Sequence, residues 1–382
     1  MKAVRIPRGT CRLFGAIKAL GTLKRCAILV HGPKGCVYHI NYILGMRGDR
    51  PSQVYSTCLD EHDVIFGAED RLREAIEELD TTGSYDLIAV LSCCASSIIG
   101  EDVTSVAREA RTRARVIGIE AGGFEGDFRQ GHSETLRSLV DELTVAHGSI
   151  VLRSVNLLGV LRSGPDLREL VSLLGRMGVS IIAVLTAGAS RFEIERMSSA
   201  ALNVVLCESS GKEAAELLRE KYGTPFLIVE LPIGAGATRQ FCNSVQDALG
   251  ISKGAEGLDC PALPPIPPRR IALIGGPTRA VAFTRFLQEL GIEPALIVLD
   301  FDLGTEERLR GMVQCEILVE PDQNLIVEKL REKKVDLILG GMLERPVAAM
   351  LGIGFFDMMH GSQKTVGEEG MRTLIRVLQE SK

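Results

Sequence analysis

The apolar run at 26–30 stops abruptly on His31-Gly-Pro-Lys-Gly-Cys36, and this break limits the fold more than any other stretch. Apolar residues in a short run bounded by Gly and Pro read as a buried strand, so Cys36 is expected at the strand's carboxyl end. A second run at 86–91 ends in the same way on Ser92, Cys93 and Cys94. In open parallel sheets the functional crevice lies just beyond the carboxyl ends of the strands. Two cysteine-bearing turns are therefore expected on one functional edge.

The same alternation runs through most of the chain. Strands are expected at 26–30, 54–57, 86–91 and 115–119, with helices at 67–80, 101–111 and 133–147. A second set follows, with strands at 154–160, 179–185, 203–206 and 225–230 and helices at 166–177, 191–198, 211–222 and 238–249. Strand and helix in regular alternation is the signature of a doubly wound parallel sheet. At 254–270 the composition shifts, and Pro261, Pro264, Pro265, Pro267 and Pro268 favour a stiff extended connector. A third set opens with a strand at 271–274, Gly275-Gly-Pro277 and a helix at 280–290, and closes with a helix at 368–379. The fold class is thus α/β, with three Rossmann-like domains at 1–149, 150–253 and 270–382 and a proline-rich linker at 254–269.

A chain of 382 residues exceeds the roughly 250 to 300 that one core serves, which agrees with several domains. With 46% hydrophobic and 24% charged residues it has the composition of a soluble globular protein. The net charge of −5, with no basic block or interleaved aromatics, argues against a nucleic-acid partner. No apolar run approaches the roughly 20 residues of a membrane span, and the opening Met1-Lys-Ala-Val-Arg-Ile-Pro7 lacks the apolar core of an export signal. A cytoplasmic location is expected.

In that compartment ten cysteines cannot form a disulfide framework, so each is either core filler or a metal ligand. Cys26 at a strand start, Cys242 in a helical pattern, Cys260 in the linker and Cys315 before a strand read as filler. Cys11, Cys36 and Cys94 fall at turns or element starts. His31, His39 and His62 are near enough to these turns to move protons or to shape turn geometry. Cys58 and Cys93 are further thiols near the same edge.

Nucleotide chemistry does not fit the details. No Gly-x-x-x-x-Gly-Lys-Ser/Thr loop is present, so ATP hydrolysis by this chain is not expected. Ile271-Ala-Leu-Ile-Gly-Gly-Pro-Thr-Arg-Ala280 begins like a dinucleotide turn but does not complete the glycine pattern. Metal chemistry fits better, because thiolates are the natural ligands of iron–sulfur clusters. Compact spacings such as C-x2-C-x2-C are missing, so Cys11, Cys36 and Cys94 can meet only through the fold. Three thiols on one edge would suit a cluster shared with a second subunit. A sugar- or nucleotide-binding module of three Rossmann units remains the non-metal alternative.

Five ordered motifs carry a resemblance. They are Cys11-x3-Gly15-Ala16, His31-Gly-Pro-Lys-Gly-Cys36, Asp60-Glu-His-Asp-Val-Ile-Phe-Gly-Ala-Glu69, Cys94-Ala-Ser-Ser-Ile-Ile-Gly-Glu-Asp102 and Gly122-Gly-Phe-x-Gly126. Together they resemble component 1 of nitrogenase and its relatives: the dark-operative chlorophyll-precursor reductases, the scaffolds that build nitrogenase's cofactor, and the reductase of nickel sirohydrochlorin a,c-diamide in coenzyme F430 synthesis. Asn203-Val-Val-Leu-Cys207, Lys221-Tyr-Gly-Thr-Pro-Phe226, Leu231-Pro-Ile-Gly234 and Val366-Gly-Glu-Glu-Gly370 extend the likeness through most of the chain.

The resemblance implies that Cys11, Cys36 and Cys94 bind an iron–sulfur cluster, either 4Fe-4S or of the P-cluster type, between subunits. It implies that Cys207 is the catalytic or cofactor-anchoring cysteine, with a larger metal cofactor beside it in some branches. The implied partners are a separate ATP-hydrolysing iron protein, a second copy or sister subunit, and a small-molecule or tetrapyrrole substrate. The neighbours of His360 differ from those of the family's cofactor-ligating histidine, which implies a reaction other than dinitrogen reduction. Compact size and the stretches around Asp60 and Cys94 look most like the nickel-tetrapyrrole reductase, although Cys11 and Cys207 are not required of that enzyme. Two functions follow, a reductase component and a cofactor-assembly scaffold.

Overall fold

The computed structural model describes residues 10–46, 53–124, 126–160, 162–251, 266–360 and 363–380. The opening stretch, Glu125 of the glycine motif, and 252–265, with Cys260, Pro261, Pro264 and Pro265 of the expected connector, lie outside the described residues.

Continuous apolar runs become strands covered on both faces, as parallel sheets require. The first sheet holds β1 (Cys26–His31), β2 (Val54–Ser56), β3 (Leu87–Ser92) and β4 (Arg115–Ile119) in the order β2-β1-β3-β4, and every residue of β1 and β3 is buried. The second holds β5 (Val151–Val160), β6 (Ser180–Thr186), β7 (Ala200–Val205) and β8 (Phe226–Ile228) in the order β6-β5-β7-β8. The third holds β9 (Ile271–Gly275), β10 (Leu296–Leu299), β11 (Glu316–Val319), β12 (Leu337–Gly340) and β13 (Gly354–Asp357) in the order β11-β10-β9-β12-β13. The α/β class with three parallel sheets is the expected one. Among the described residues no helix is long and apolar enough to cross a membrane.

By compactness the chain divides into two units, one made of Gly9–Arg162 and Ile181–Phe226, the other containing Ser163–Ser180 and Leu227–Lys382. In the first unit a single apolar core joins the first two sheets: Ile28, Leu91 and Ile119 from one pack with Leu158, Leu185 and Val205 from the other. The helices Arg12–Leu20 and Phe128–Leu143 belong to this core. They cross so closely that a β-carbon on Gly131 would overlap the Arg12 carbonyl and stand 2.7 Å from its carbon, and one on Gly15 would stand 2.8 Å from His132 N. The Gly15 of the first motif is thus explained by packing. In the second unit the Asp166 carboxylate accepts from Thr365 N at 2.6 Å, Val366 N at 3.2 Å and Arg279 at 3.1 Å, which fastens the entry to the helix Gly367–Gln379.

His132 lies in the crossing, 1% exposed, with both ring nitrogens lacking a hydrogen-bond partner. Burial first, and the Lys18 charge second, lower its pKa to about 3. The unfolded chain takes up this proton below about pH 6.5 whereas the folded chain does not. Stability therefore falls as the pH drops from about 6.5 toward 3, by about 1.4 kcal/mol per unit at most. His132→Leu removes an unpaired polar ring as well as this proton uptake. Melts of the two proteins at pH 7.5 and 5.5 should show the variant's advantage growing on acidification; a constant difference contradicts the assignment.

Candidate functional site

The order β2-β1-β3-β4 reverses between β1 and β3, so the crevice of the first sheet opens at their carboxyl ends. His31 and Ser92 form the last register pair there. Beyond them the chain enters two helices at once. The helix Lys34–Met46 carries Cys36 in its first turn, and the helix Cys94–Ile99 has Cys93 as its N-cap and Cys94 as its first residue. Gly and Pro at 32–35 read as a turn, but Pro33 stands just before a helix, where its fixed φ suits the first turn and its missing N–H costs nothing. Cys11 caps the helix Arg12–Leu20, and its backbone bridges to Asp127, which caps the helix Phe128–Leu143.

Gly123 brings Cys11 and Cys94 together. Its N–H donates to Cys94 Sγ at 3.2 Å, and a β-carbon on it would stand 3.1 Å from that sulfur and 3.2 Å from Cys11 Cβ. Cys36 joins from the other side. It donates a hydrogen bond to Cys93, and this bond, then burial, then the charges of Cys93, Cys94 and Cys11 push its thiol up. The same interaction lowers Cys93. Cys93, fully buried and one of the further thiols expected near this edge, thus lies beside one of the three.

Among the described residues, no three donors converge tightly enough to hold a single metal ion. An iron–sulfur cluster makes a different demand, because its thiolates ligate separate irons and stand apart. The thiol donor set and the side-chain-free gap at Gly123 fit such a cluster, and Gly123 N–H supplies the kind of sulfur-directed hydrogen bond that tunes one.

Glu101 ties three of the sequence motifs into one support. Its Oε1 accepts from Ala68 N at 2.6 Å, and its Oε2 lies 3.4 Å from His31 Nε2. His31 Nδ1 lies 3.0 Å from Thr57 Oγ1, which accepts from Gly32 N at 3.1 Å. Burial outweighs Glu101 and lowers the His31 pKa, so this wholly buried ring is a neutral strut beneath the Cys36 turn. His39 and His62 are exposed, and His62 rests on the Phe66 ring at 4.6 Å. Asp60 caps the helix Glu61–Phe66 in a reciprocal capping box with Asp63. Cys58 is exposed after β2, in the left-handed region at φ 56°.

Cys207 stands elsewhere. The order β6-β5-β7-β8 reverses between β5 and β7, and Leu206 N bonds Leu158 O at 2.9 Å across that point. Cys207 follows as the N-cap of the helix Glu208–Tyr222, partly exposed, with its sulfur 3.2 Å from Ser209 Oγ. It is therefore at the crevice of the second sheet, as the other three thiols are at that of the first. Burial pushes Cys26 up to about 12 and Cys315 up to about 11, and it raises Cys242 too, which suits inert core thiols.

Large apolar side chains surround the first crevice without cover: Tyr38 and Tyr42, Ile65 and Phe66, Ile98, and Phe124, the last 73% exposed. A cluster of such residues marks a surface that meets a partner.

A family model described as nitrogenase component 1 type oxidoreductase matches residues 11–381. The nitrogenase iron-molybdenum cofactor biosynthesis protein NifE of Clostridium pasteurianum is 27% identical over 381 residues, covering 93% of this chain and 83% of that protein. The nitrogenase molybdenum-iron protein beta chain of Methanothermobacter thermautotrophicus is 26% identical, covering 92% and 86%. The alpha chain of Methanothermobacter marburgensis is 26% identical, covering 96% and 86%. Among solved structures, nitrogenase Cp1 at pH 6.5 superposes with a TM-score of 0.86 at 22% identity, covering 99% of this chain and 93% of that one, a likeness of fold.

Proposed function

The chain belongs to the nitrogenase component 1 type oxidoreductase family, and from that premise we propose that it is the iron–sulfur component of a reductase driven by a separate ATP-hydrolysing iron protein. The observation that carries this reading is the gathering of Cys11 and Cys94 about Gly123 with Cys36 alongside, at the crevice of the first sheet. Bound by Cys11, Cys36 and Cys94, a 4Fe-4S or P-cluster type centre would supply one-electron redox chemistry. Gly123 N–H steadies the Cys94 thiolate, and the Glu101, His31 and Thr57 network holds the Cys36 turn in place. The exposed apolar rim supports a second copy or a sister subunit closing over the thiols. Cytoplasmic operation suits the many free thiols.

The substrate is bound beside Cys207 in this reading. Its finer assignment is nickel sirohydrochlorin a,c-diamide, a step of coenzyme F430 synthesis, on the likeness of the stretches around Asp60 and Cys94. A second reading, a scaffold for assembling a nitrogenase-type metal cofactor, is favoured by the similarity to NifE. In that case a larger metal cofactor would take the place beside Cys207.

The test is an anaerobic assay of the tetrapyrrole with the iron protein, ATP and magnesium. Reduction should require all three. If Cys207 ligates a cofactor or faces the substrate, Cys207→Ser should abolish turnover while iron content and melting temperature stay at wild-type values, because a hydroxyl is a far poorer ligand than a thiolate. Retained turnover favours the tetrapyrrole reductase, of which Cys207 is not required. If Cys207 is a core thiol, the same change costs about 1 to 3 kcal/mol in stability and leaves turnover per folded molecule unchanged. A protein that turns nothing over but releases an inorganic cluster to an acceptor supports the scaffold instead.

A further inference from the structure

A cavity of about 310 Å3 lies at the opposite end of the first sheet from the cysteines, along the edge strand β4. Arg108, Arg113, Arg115 and Arg191 line it with one carboxylate, Glu142. Against the four guanidinium groups stand Glu142 in the lining and Asp80 and Glu195 just behind it, which leaves a local excess of one positive charge in a chain whose net charge is −5. Glu142 is divided between Arg115 at 3.3 Å and Arg108 at 3.8 Å, so neither arginine has a full counter-charge from it. Arg113 lies 3.4 Å from Asp80, but that carboxylate is also held by the backbone N–H groups of Arg113 at 3.0 Å and Ala114 at 2.9 Å. Arg191 is paired with Glu195 at 2.8 Å and forms the least exposed wall.

The side chain of Arg108 is 71% exposed and only 3.8 Å from Glu142, so its fork can turn onto a ligand, whereas that of Arg113 is exposed but donates to the carboxylate and the carbonyl of Asp80. Arginine forks match carboxylate and phosphate oxygens in bidentate fashion. The floor is apolar, with Ala107 and Val116, and no aromatic side chain is present among the lining residues to stack on a base. The volume is near the small end of ligand pockets, about 300 Å3. We propose that this cavity binds a compact, non-aromatic organic polyanion carrying at least two carboxylate or phosphate groups.

Calorimetric titration of the full anaerobic chain with citrate and with inorganic pyrophosphate, at fixed ionic strength, tests this. Saturable one-to-one binding of at least one probe is expected, and the stronger of the two tells polycarboxylate from phosphate ester. Arg108→Gln combined with Arg115→Gln should weaken binding by about tenfold or more, since each charge-assisted contact is lost. Glu142→Gln, which removes the competing carboxylate, should tighten it, and Arg372→Gln, a change at an arginine that is not among the lining residues, should leave it unchanged. The two changes of opposite sign guard against a folding artefact. No saturable binding of either probe, or equal affinity in the double arginine variant and the wild type, overturns the proposal.

Discussion

Gly131→Ala should lower the melting temperature by on the order of 6 to 12 °C, or prevent soluble folding altogether. The added methyl group would be driven into the Arg12 carbonyl, with Arg12 Cα only 2.9 Å away, and backbone cannot move aside as a side-chain tip can. Parting the helices Arg12–Leu20 and Phe128–Leu143 to admit it would open the core on both sides, because Leu13, Ile17, Leu136 and Leu139 all belong to it. Overpacking of this kind costs on the order of 3 kcal/mol or more. Gly175→Ala is the matched control, since a β-carbon there meets nothing within 4 Å. It should melt at or slightly above the wild-type temperature, as alanine is the better helix former by roughly 1 kcal/mol. Equal melting of the two variants would show that the crossing tolerates a wider spacing.

That crossing also marks where reading the sequence falls short. The helix Arg12–Leu20 has eight of its nine residues buried, so it shows no polar face to give a helical period, and Gly15 in its middle reads as a breaker. The helices Glu61–Phe66 and Cys94–Ile99 are six residues each, less than two turns, too short for any period to register. β13 is Gly-Phe-Phe-Asp, four residues with a glycine at its start, and passes for loop. By contrast β4 occurs at the expected bounds, 115–119, because an apolar stretch flanked by charge or turn residues has one plain reading.

The candidate site divides along the same line. Cys36 and Cys94 are legible as residues beyond strand ends because each follows an apolar run, whereas Cys207 is singled out by the resemblance to a family. Cys11 is legible as a thiol at an element start, and its role comes from the motif it shares with a family. The contact between Cys36 and Cys93 depends on β1 pairing with β3 in a register that aligns His31 with Ser92. The bridge from Glu101 to both His31 and Ala68 joins segments that are far apart in the chain. Register and long-range bonding of this kind have no local signal. The four arginines of the β4 cavity come from three segments, and each alone looks like an ordinary solvated charge.

Cys36→Ala should strip most of the iron and sulfide from the anaerobically purified protein while leaving the fold in place. The side chain is half-buried at a helix start and interacts with Cys93, so its removal should cost little stability beyond freeing that sulfur. A cluster held by three thiolates from one chain loses a third of this chain's ligands in a single step. Cys242→Ala, which removes a mostly buried thiol from the helix Ala235–Leu249, is the control and should leave metal content unchanged. The broad visible absorbance of thiolate-to-iron charge transfer should follow the iron in both variants.

The most direct measurement is the iron and acid-labile sulfide content per chain of the wild-type protein purified without oxygen, taken beside Cys36→Ala. Matched stoichiometric iron and sulfide in the wild type, largely absent from the variant, is the expected result. A wild-type protein free of iron and sulfide even after anaerobic reconstitution, or a variant that holds as much of both as the wild type, would contradict the assignment of Cys11, Cys36 and Cys94 as the cluster's ligands.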